Sequence, residues 1–368
     1  MGPETAALRR RAQLLHRPPA PDPEAVVRHL LAVQAQDPRG ARLTVRARSN
    51  GLLAADVDRA LTDRRSLVVT WVNRGTLHLV AVEDLPLLHA LTTPQLHVSN
   101  ARRLDQEGVP PPDAERAVAA VVAHLAEHGP RTRDQLREVV AALGVRTEGQ
   151  ALVHVLFLAT LRGHLVRGPV VDGEQAFALV RDWLGPEVAD ALVDGGAAAD
   201  RATALAELAR RYLAAHGPAT DRDLAKWAGA TLGDARRGLR AIGAELVERA
   251  DGTVDLASRP TGDGDETVRA ALLGPFDELL MGWASRRDVL GDDTSTITSN
   301  GVFRPFVLVD GRAVGRWQLP TARSASISVE PFDTEADRAA VDRHRDALAE
   351  DAADVVRFLG GSPARGGG

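Results

Sequence analysis

Two glutamines, Gln34 and Gln36, stand one residue apart in the stretch "HLLAVQAQDPRG" (residues 29–40), followed at once by Asp37, Pro38 and Gly40. A carboxamide oxygen accepts hydrogen bonds, and its dipole stabilises positive charge without titrating, so a convergent pair can hold and orient a water molecule for attack. In a helix, residues two apart diverge; in an extended segment they share a face. Pro38 drives Asp37 out of the helical region and Gly40 permits a turn, so the motif is expected where a helix unwinds and both amides can converge. An isolated pair of this kind is more often merely solvated at a helix end, so the spacing alone assigns no chemistry. Asp37 is an alternative participant, since a carboxylate is the stronger base toward water, although in an extended chain it points away from its neighbour Gln36.

The composition narrows the remaining chemistry. The chain has 368 residues, room for two to four domains, and no cysteine, which removes disulfides, thiolate nucleophiles and Fe–S clusters. Of 45 basic residues only Lys226 is a lysine, inside the helical-looking "DRDLAKWAGA", so imine chemistry has a single candidate. The 11 histidines are scattered, and the one i,i+4 pair, His124 and His128, lacks the glutamate of a metalloprotease helix, so no metal and no cofactor are expected. No phosphate-cradling glycine loop follows a strand, and no apolar run reaches the roughly 18 residues that span a bilayer. The N-terminus lacks the apolar region of a signal peptide, so a cytoplasmic, nucleoid-associated protein without membrane contact is expected. The net charge of −5 is uneven: residues 1–110 carry 15 Arg against 11 acids, whereas 261–368 carry 12 basic against 18 acidic residues. An electrostatic footprint for a polyanion is therefore expected in the N-terminal third.

Helical spacing is read over residues 4–15, 24–33 and 53–62, with "RPPAPDP" (17–23) interrupting the first two. In "SLVVTWVNRGTLHLVAVEDL" (66–85) apolar and β-branched runs flank Asn-Arg-Gly, a strand–turn–strand signal. Helices followed by a hairpin is the order of a winged helix, and it recurs over 117–180 and 204–257. Both later copies contain a helix ending in His-Gly-Pro, "EHGPRTRDQL" and "AHGPATDRDL", with Thr132 or Thr220 placed to cap the next helix. After about residue 259, "ALLGPFDELLMGWASRRDVL", "VFRPFVLVDGRAVGRWQL" and "SASISVEPF" predict a small β domain over 267–332, with a hairpin at "VDGR". A final helix over 335–359 precedes a disordered glycine-rich tail. The expected class is α+β and mostly helical: winged helices at 1–110, 111–200 and 201–260, then a C-terminal β domain and helix at 261–368.

Candidate contacts to a polyanion follow from that placement. Arg74, Thr76 and His78 alternate onto one side of the first hairpin, whose Arg-Gly tip suits a phosphate, although a solvated hairpin with a structural histidine fits as well. Arg39, Arg42, Arg46 and Arg48 flank the glutamines and are candidates for backbone phosphates or for plain solvation.

The segments "LLAVQAQDPRGARLTVRAR", "WVNRGTLHLV", "HGPATDRDLAKWAG", "LLGPFDELL" and "NGVFRPFVLVDGRAVGRW" resemble, in that order, the winged-helix DNA glycosylases of the AlkZ- and YcaQ-like type, over about residues 9–317. The resemblance implies a C-shaped protein of three tandem winged helices and a β domain, with double-stranded DNA in its channel. The family's catalytic Gln-Φ-Gln falls on Gln34, Ala35 and Gln36. YcaQ-like members carry aspartate in the last position, so this chain is closer to the AlkZ-like branch, whose members protect producers of DNA-alkylating natural products. It further implies that Arg286, Arg287, Asn300 and Arg304 lie by a DNA-contacting hairpin. The reaction implied is monofunctional hydrolysis of N7-alkylated purine nucleosides in DNA, including bulky adducts or interstrand crosslinks, by a monomer. Few aromatics surround Gln34, so an open site, weakly selective for the alkyl group, is expected. The alternative is a non-catalytic winged-helix regulator or drug-sequestering protein.

Overall fold

The computed structural model describes residues 3–15, 19–171, 174–193, 200–259, 270–293, 295–318 and 326–360. The expected tail (361–368), the first residues of the expected β domain (267–269) and the glycine turn at 172–173 lie outside them.

Helices α1 (Pro3–Ala12) and α2 (Pro23–Leu30) lead to the two-residue strand β1 (Val33–Gln34), then α3 (Pro38–Arg46), α4 (Ala54–Thr62) and the hairpin β2 (Leu67–Val72) and β3 (Thr76–Ala81). Two helices not foreseen, α5 (Leu85–Thr92) and α6 (Leu96–Gln106), follow. The second repeat is α7 (Pro111–His128), α8 (Arg133–Ala141), α9 (Ala151–Leu161), β4 (Leu165–Val171) and β5 (Glu174–Leu179), with α10 (Val180–Leu184) and α11 (Pro186–Val193) behind it. The third is α12 (Arg201–His216), α13 (Asp221–Ala228), α14 (Leu232–Ala241), β6 (Leu246–Glu248) and β7 (Val254–Leu256). Last come β8 (Ala270–Leu273), the short α15 (Glu278–Met281) and α16 (Arg287–Leu290), β9 (Phe306–Val309), β10 (Arg312–Trp317), β11 (Val329–Pro331), α17 (Glu335–Arg343) and α18 (Arg345–Leu359). The fold is α+β. Among the described residues no helix is long and apolar enough to cross a membrane.

Local chemistry explains the repeated boundaries. Thr132 and Gln135 form a capping box at the start of α8. Thr220 and Asp223 exchange the equivalent pair of bonds at α13, at 2.9 and 3.2 Å. Asn73 and Gly75, both at positive φ, close the β2–β3 loop, and Asp310 with Gly311 does the same between β9 and β10. Three expectations are corrected. Pro38 and Gly40 do not make a turn; they open α3, with Pro38 in the first helical turn where its missing N–H costs nothing. Residues 278–290, expected in the β domain, form two helical turns. The terminal helix breaks at His344 into α17 and α18.

The chain gathers into two compact units: residues 1–57, 205–227 and 231–368 form one, and 58–204 with 228–230 the other. In the first, a four-stranded antiparallel sheet in the order β11-β10-β9-β8 carries a core of Leu272, Val307, Trp317, Val355 and Phe358, to which α3 contributes Leu43. In the second, β3-β2-β4-β5 lie side by side, the first two repeats' hairpins joined at Val69 and Arg167. Trp71, 5.3 Å from Phe157 and 6.1 Å from Phe177, anchors its core.

Candidate active site

The glutamine motif is held open between two breaks. Leu31, at φ +67, ends α2 in a conformation that stops helical propagation. At the far end Asp37 is extended (φ −108°, ψ 116°) and its Oδ1 accepts the backbone N–H of Arg39 and Gly40 at 2.8 and 2.9 Å, capping α3. The carboxylate once eligible as a base is thus engaged in holding the next helix. Between these points Gln34 lies on β1, and the chain bends at Gln36 before the extended Asp37, so the expected extended run stops short of the second glutamine.

The two glutamines are not presented alike. Gln34 is 4% exposed, whereas Gln36 is exposed. The two amides, expected to converge, therefore differ in exposure, one inside and one outside. The backbone N–H of Gln34 donates to Glu278 Oε1 at 2.6 Å. That carboxylate, 1% exposed, opens α15 in "GPFDELL", a segment quoted for its resemblance but given no role in sequence reasoning. Two acids inside an otherwise apolar run were the available signal, because unpaired carboxylates are almost never fully buried.

The turn before Glu278 is braced against α3. A Cβ on Gly40 would meet the Pro275 carbonyl at 2.4 Å, so the glycine serves close approach rather than a bend. Asp277, fully buried, receives both Arg48 nitrogens at 2.9 Å and the Thr44 hydroxyl at 3.3 Å. Arg46, 3% exposed, is clamped by Asp351 at 2.8 and 3.0 Å and by Asp354 at 3.2 Å. Burial works against its charge, but the two carboxylates outweigh this and hold its pKa above the ordinary value. Arg46 and Arg48 are therefore not phosphate contacts; they are interior struts, and much of the N-terminal positive excess is neutralised inside the unit. Arg39 and Arg42 stay half-buried, Arg42 bonding its own helix at the Pro38 carbonyl.

The same unit assembles the C-terminal candidates. Residues 296–304 form a small hairpin, bridged at Ile297 and Phe303, with exposed Asn300 near its tip and exposed Arg304 at its base. Phe303 packs at a tilt against Phe276, ring centres 5.5 Å apart, so the hairpin leans on the Glu278 turn. Arg286 lies over the Phe303 ring at 4.9 Å and donates to the Leu280 carbonyl, and burial lowers its pKa. It braces the hairpin more than it offers a charge to solvent. Arg287 is exposed and pairs with Asp292 at 3.1 Å.

Arg74, Thr76 and His78 belong to the other unit. Arg74 and Thr76 are half-buried, but the Thr76 hydroxyl itself is buried, so its assignment to DNA contact is corrected. His78 is 1% exposed with Nδ1 at 2.8 Å from the Thr76 carbonyl, and burial followed by nearby Arg74 pushes its pKa down to about 3. The assignment of His78 to DNA contact is corrected: a buried neutral imidazole supports the hairpin and presents nothing to a phosphate.

A glutamine pair held between two helices with one carboxamide exposed, in an α+β scaffold of repeated helix–hairpin modules, fits one class found by comparison with known proteins. The model of the AlkZ-like DNA glycosylases matches residues 27–355, and the chain belongs to this family of DNA glycosylases. DNA is the partner of such an enzyme. The chain is similar to the interstrand DNA cross-link repair glycosylase of Streptomyces sahachiroi, 30% identical over 354 residues that cover 89% of this chain and 90% of the relative. The solved structure of Streptomyces sahachiroi DNA glycosylase AlkZ matches with a TM-score of 0.74 and 26% identity, over 97% of this chain and 96% of that one.

Proposed function

We propose that the chain hydrolyses the N-glycosidic bond of N7-alkylated purines in duplex DNA, bulky adducts and interstrand crosslinks included, and leaves an abasic site. The observation that carries the reading is the Gln34-Ala35-Gln36 segment, held between the helix break at Leu31 and the Asp37 cap, with Gln36 exposed. An N7-alkylated purine is already cationic, so it departs without strong acid catalysis and leaves an oxocarbenium-like sugar. A mild catalyst then suffices. The Gln36 carbonyl accepts a hydrogen bond from the attacking water, and its dipole, with that of Gln34, stabilises the sugar cation without changing protonation. The cross-link repair activity in the name of the similar Streptomyces glycosylase supports bulky or bridged lesions as substrates. Lys226, exposed on α13, is given no lyase role. Arg39, Arg42, Arg74, Arg287, Asn300 and Arg304 are proposed DNA contacts, and the enzyme is proposed to act as a cytoplasmic monomer in self-resistance.

Incubation with a duplex carrying N7-methylguanine tests this by release of free base. Gln36→Ala is expected to lower single-turnover release by about 100-fold or more while duplex affinity is retained, the scale of losing one preorganised transition-state dipole. Wild-type protein that binds the duplex and frees no base would instead make it a regulator or a sequestering protein.

A further inference from the structure

The Glu278 carboxylate touches the motif backbone but has no part in the chemistry above. Strand β1 is two residues long, too short to set its own course, and the motif departs from a left-handed residue. Something outside the segment must fix it. Glu278 Oε1, 2.6 Å from the Gln34 nitrogen, is one such fixed point, and it is the one supplied by a side chain. Its own position is set by a continuous frame: Asp277 is bonded to Arg48 and Thr44 and accepts the Leu279 N–H at 2.9 Å to cap α15. On another side stands His216, fully buried, its Nε2 4.0 Å from Glu278 Oε2. The His216 ring stacks on Tyr212, its carbonyl receives the Trp283 indole N–H at 2.9 Å, and a Cβ on Gly282 would strike it at 2.5 Å. At 1% exposure and joined to a backbone donor, the Glu278 carboxylate does not act as a base toward solvent.

We infer that Glu278 is a positioning residue for the glutamine pair, its carboxylate oxygen accepting the Gln34 N–H and so fixing the backbone from which both amides reach. The inference rests on the reading of Gln34 and Gln36 as the groups that orient water. It requires an acceptor of the right reach and does not require a charge, which separates it from electrostatic stabilisation of the sugar cation.

Single-turnover release of N7-methylguanine from duplex DNA, measured beside duplex Kd for the full chain, tests it with two opposed variants. Glu278→Gln keeps the length and an acceptor oxygen and is expected to stay within about 5-fold of wild type. Glu278→Asp keeps the charge but withdraws the acceptor by about 1.5 Å, one carbon–carbon bond. It is expected to slow release by about 100-fold, the usual consequence of misplacing reacting groups by an ångström, with Kd changed less than about 3-fold. Glu278→Asp as fast as wild type, or Glu278→Gln as slow as Glu278→Asp, overturns the inference, as does a loss of affinity that parallels the loss of rate. Release abolished by Gln36→Ala but untouched by Glu278→Asp defeats this inference alone. Release that survives Gln36→Ala defeats the glutamine reading as well.

Discussion

In the unit that holds the motif, Arg48 meets Asp277 through two contacts of 2.9 Å, with both side chains wholly buried. In the other, Arg167 lies 5.2 Å over the Phe177 ring with its Nε buried and unmet by any hydrogen bond, and burial, then nearby Arg133, lowers its pKa to about 10. One unit buries charge in pairs anchored to distant carboxylates; the other tolerates a single cation on an aromatic face. The difference tracks what each cation braces. Arg48 follows α3 and reaches the turn that carries Glu278, whereas Arg167 merely shares a strand position with Val69 and Phe177.

The largest expected effect breaks the paired side of that contrast. Asp277→Ala leaves a buried guanidinium without its counter-ion and should cost about 3–5 kcal/mol in urea denaturation, while Arg48→Met with Asp277→Leu should recover most of it. A single variant within about 1 kcal/mol of wild type would mean that the ion pair does not brace the unit.

Acid should weaken both units together, most strongly through His216 in one and His78 in the other. His216 and His78 are fully buried, and desolvation, the first cause in both, pushes their pKa down to about 3 from 6.5. Above pH 6.5 neither the folded nor the unfolded chain protonates them, and they contribute nothing to the pH dependence. Between 6.5 and 3 the unfolded chain takes up protons the folded chain refuses, so stability falls as pH falls, by about 1.4 kcal/mol per pH unit for each ring. From pH 6.5 to 5 each should remove about 2 kcal/mol. Unfolding free energies that are flat over that window, apart from carboxylate titration near its lower end, would contradict the neutral assignment.

The smallest effect sharpens the unpaired side. Arg167→Met removes a poorly compensated cation and keeps the volume, so stability should stay within about 1 kcal/mol of wild type or rise. A loss above about 2 kcal/mol would show that the Phe177 face compensates the charge as fully as a carboxylate.

Much of the architecture was legible because its signals are local. Thr132 and Thr220 cap where the repeats put them, and the Asn-Arg-Gly and Asp-Gly turns fall at positive φ. That the glutamines follow the end of a helix was legible for the same reason. Helix α3 was missed because Pro38 was weighed as a stop, when a proline is equally suited to the first turn of a helix. The arginine struts were missed because their partners lie far along the chain, Asp277 229 residues from Arg48 and Asp354 308 from Arg46. Repeats conceal such differences: His128 and His216 end the same His-Gly-Pro helix, yet the first stands on the surface beside His124 and the second is sealed next to Glu278.

The junction of β2 with β4 carries a consequence for how this chain can be trimmed. Removing the second repeat would not yield a smaller glycosylase. It would strip the cover from one edge of Leu67–Val72, six residues without charge or proline, and present unsatisfied main-chain groups to any neighbour with a strand to offer. The second hairpin thus also shields a strand edge that would otherwise be open to self-association.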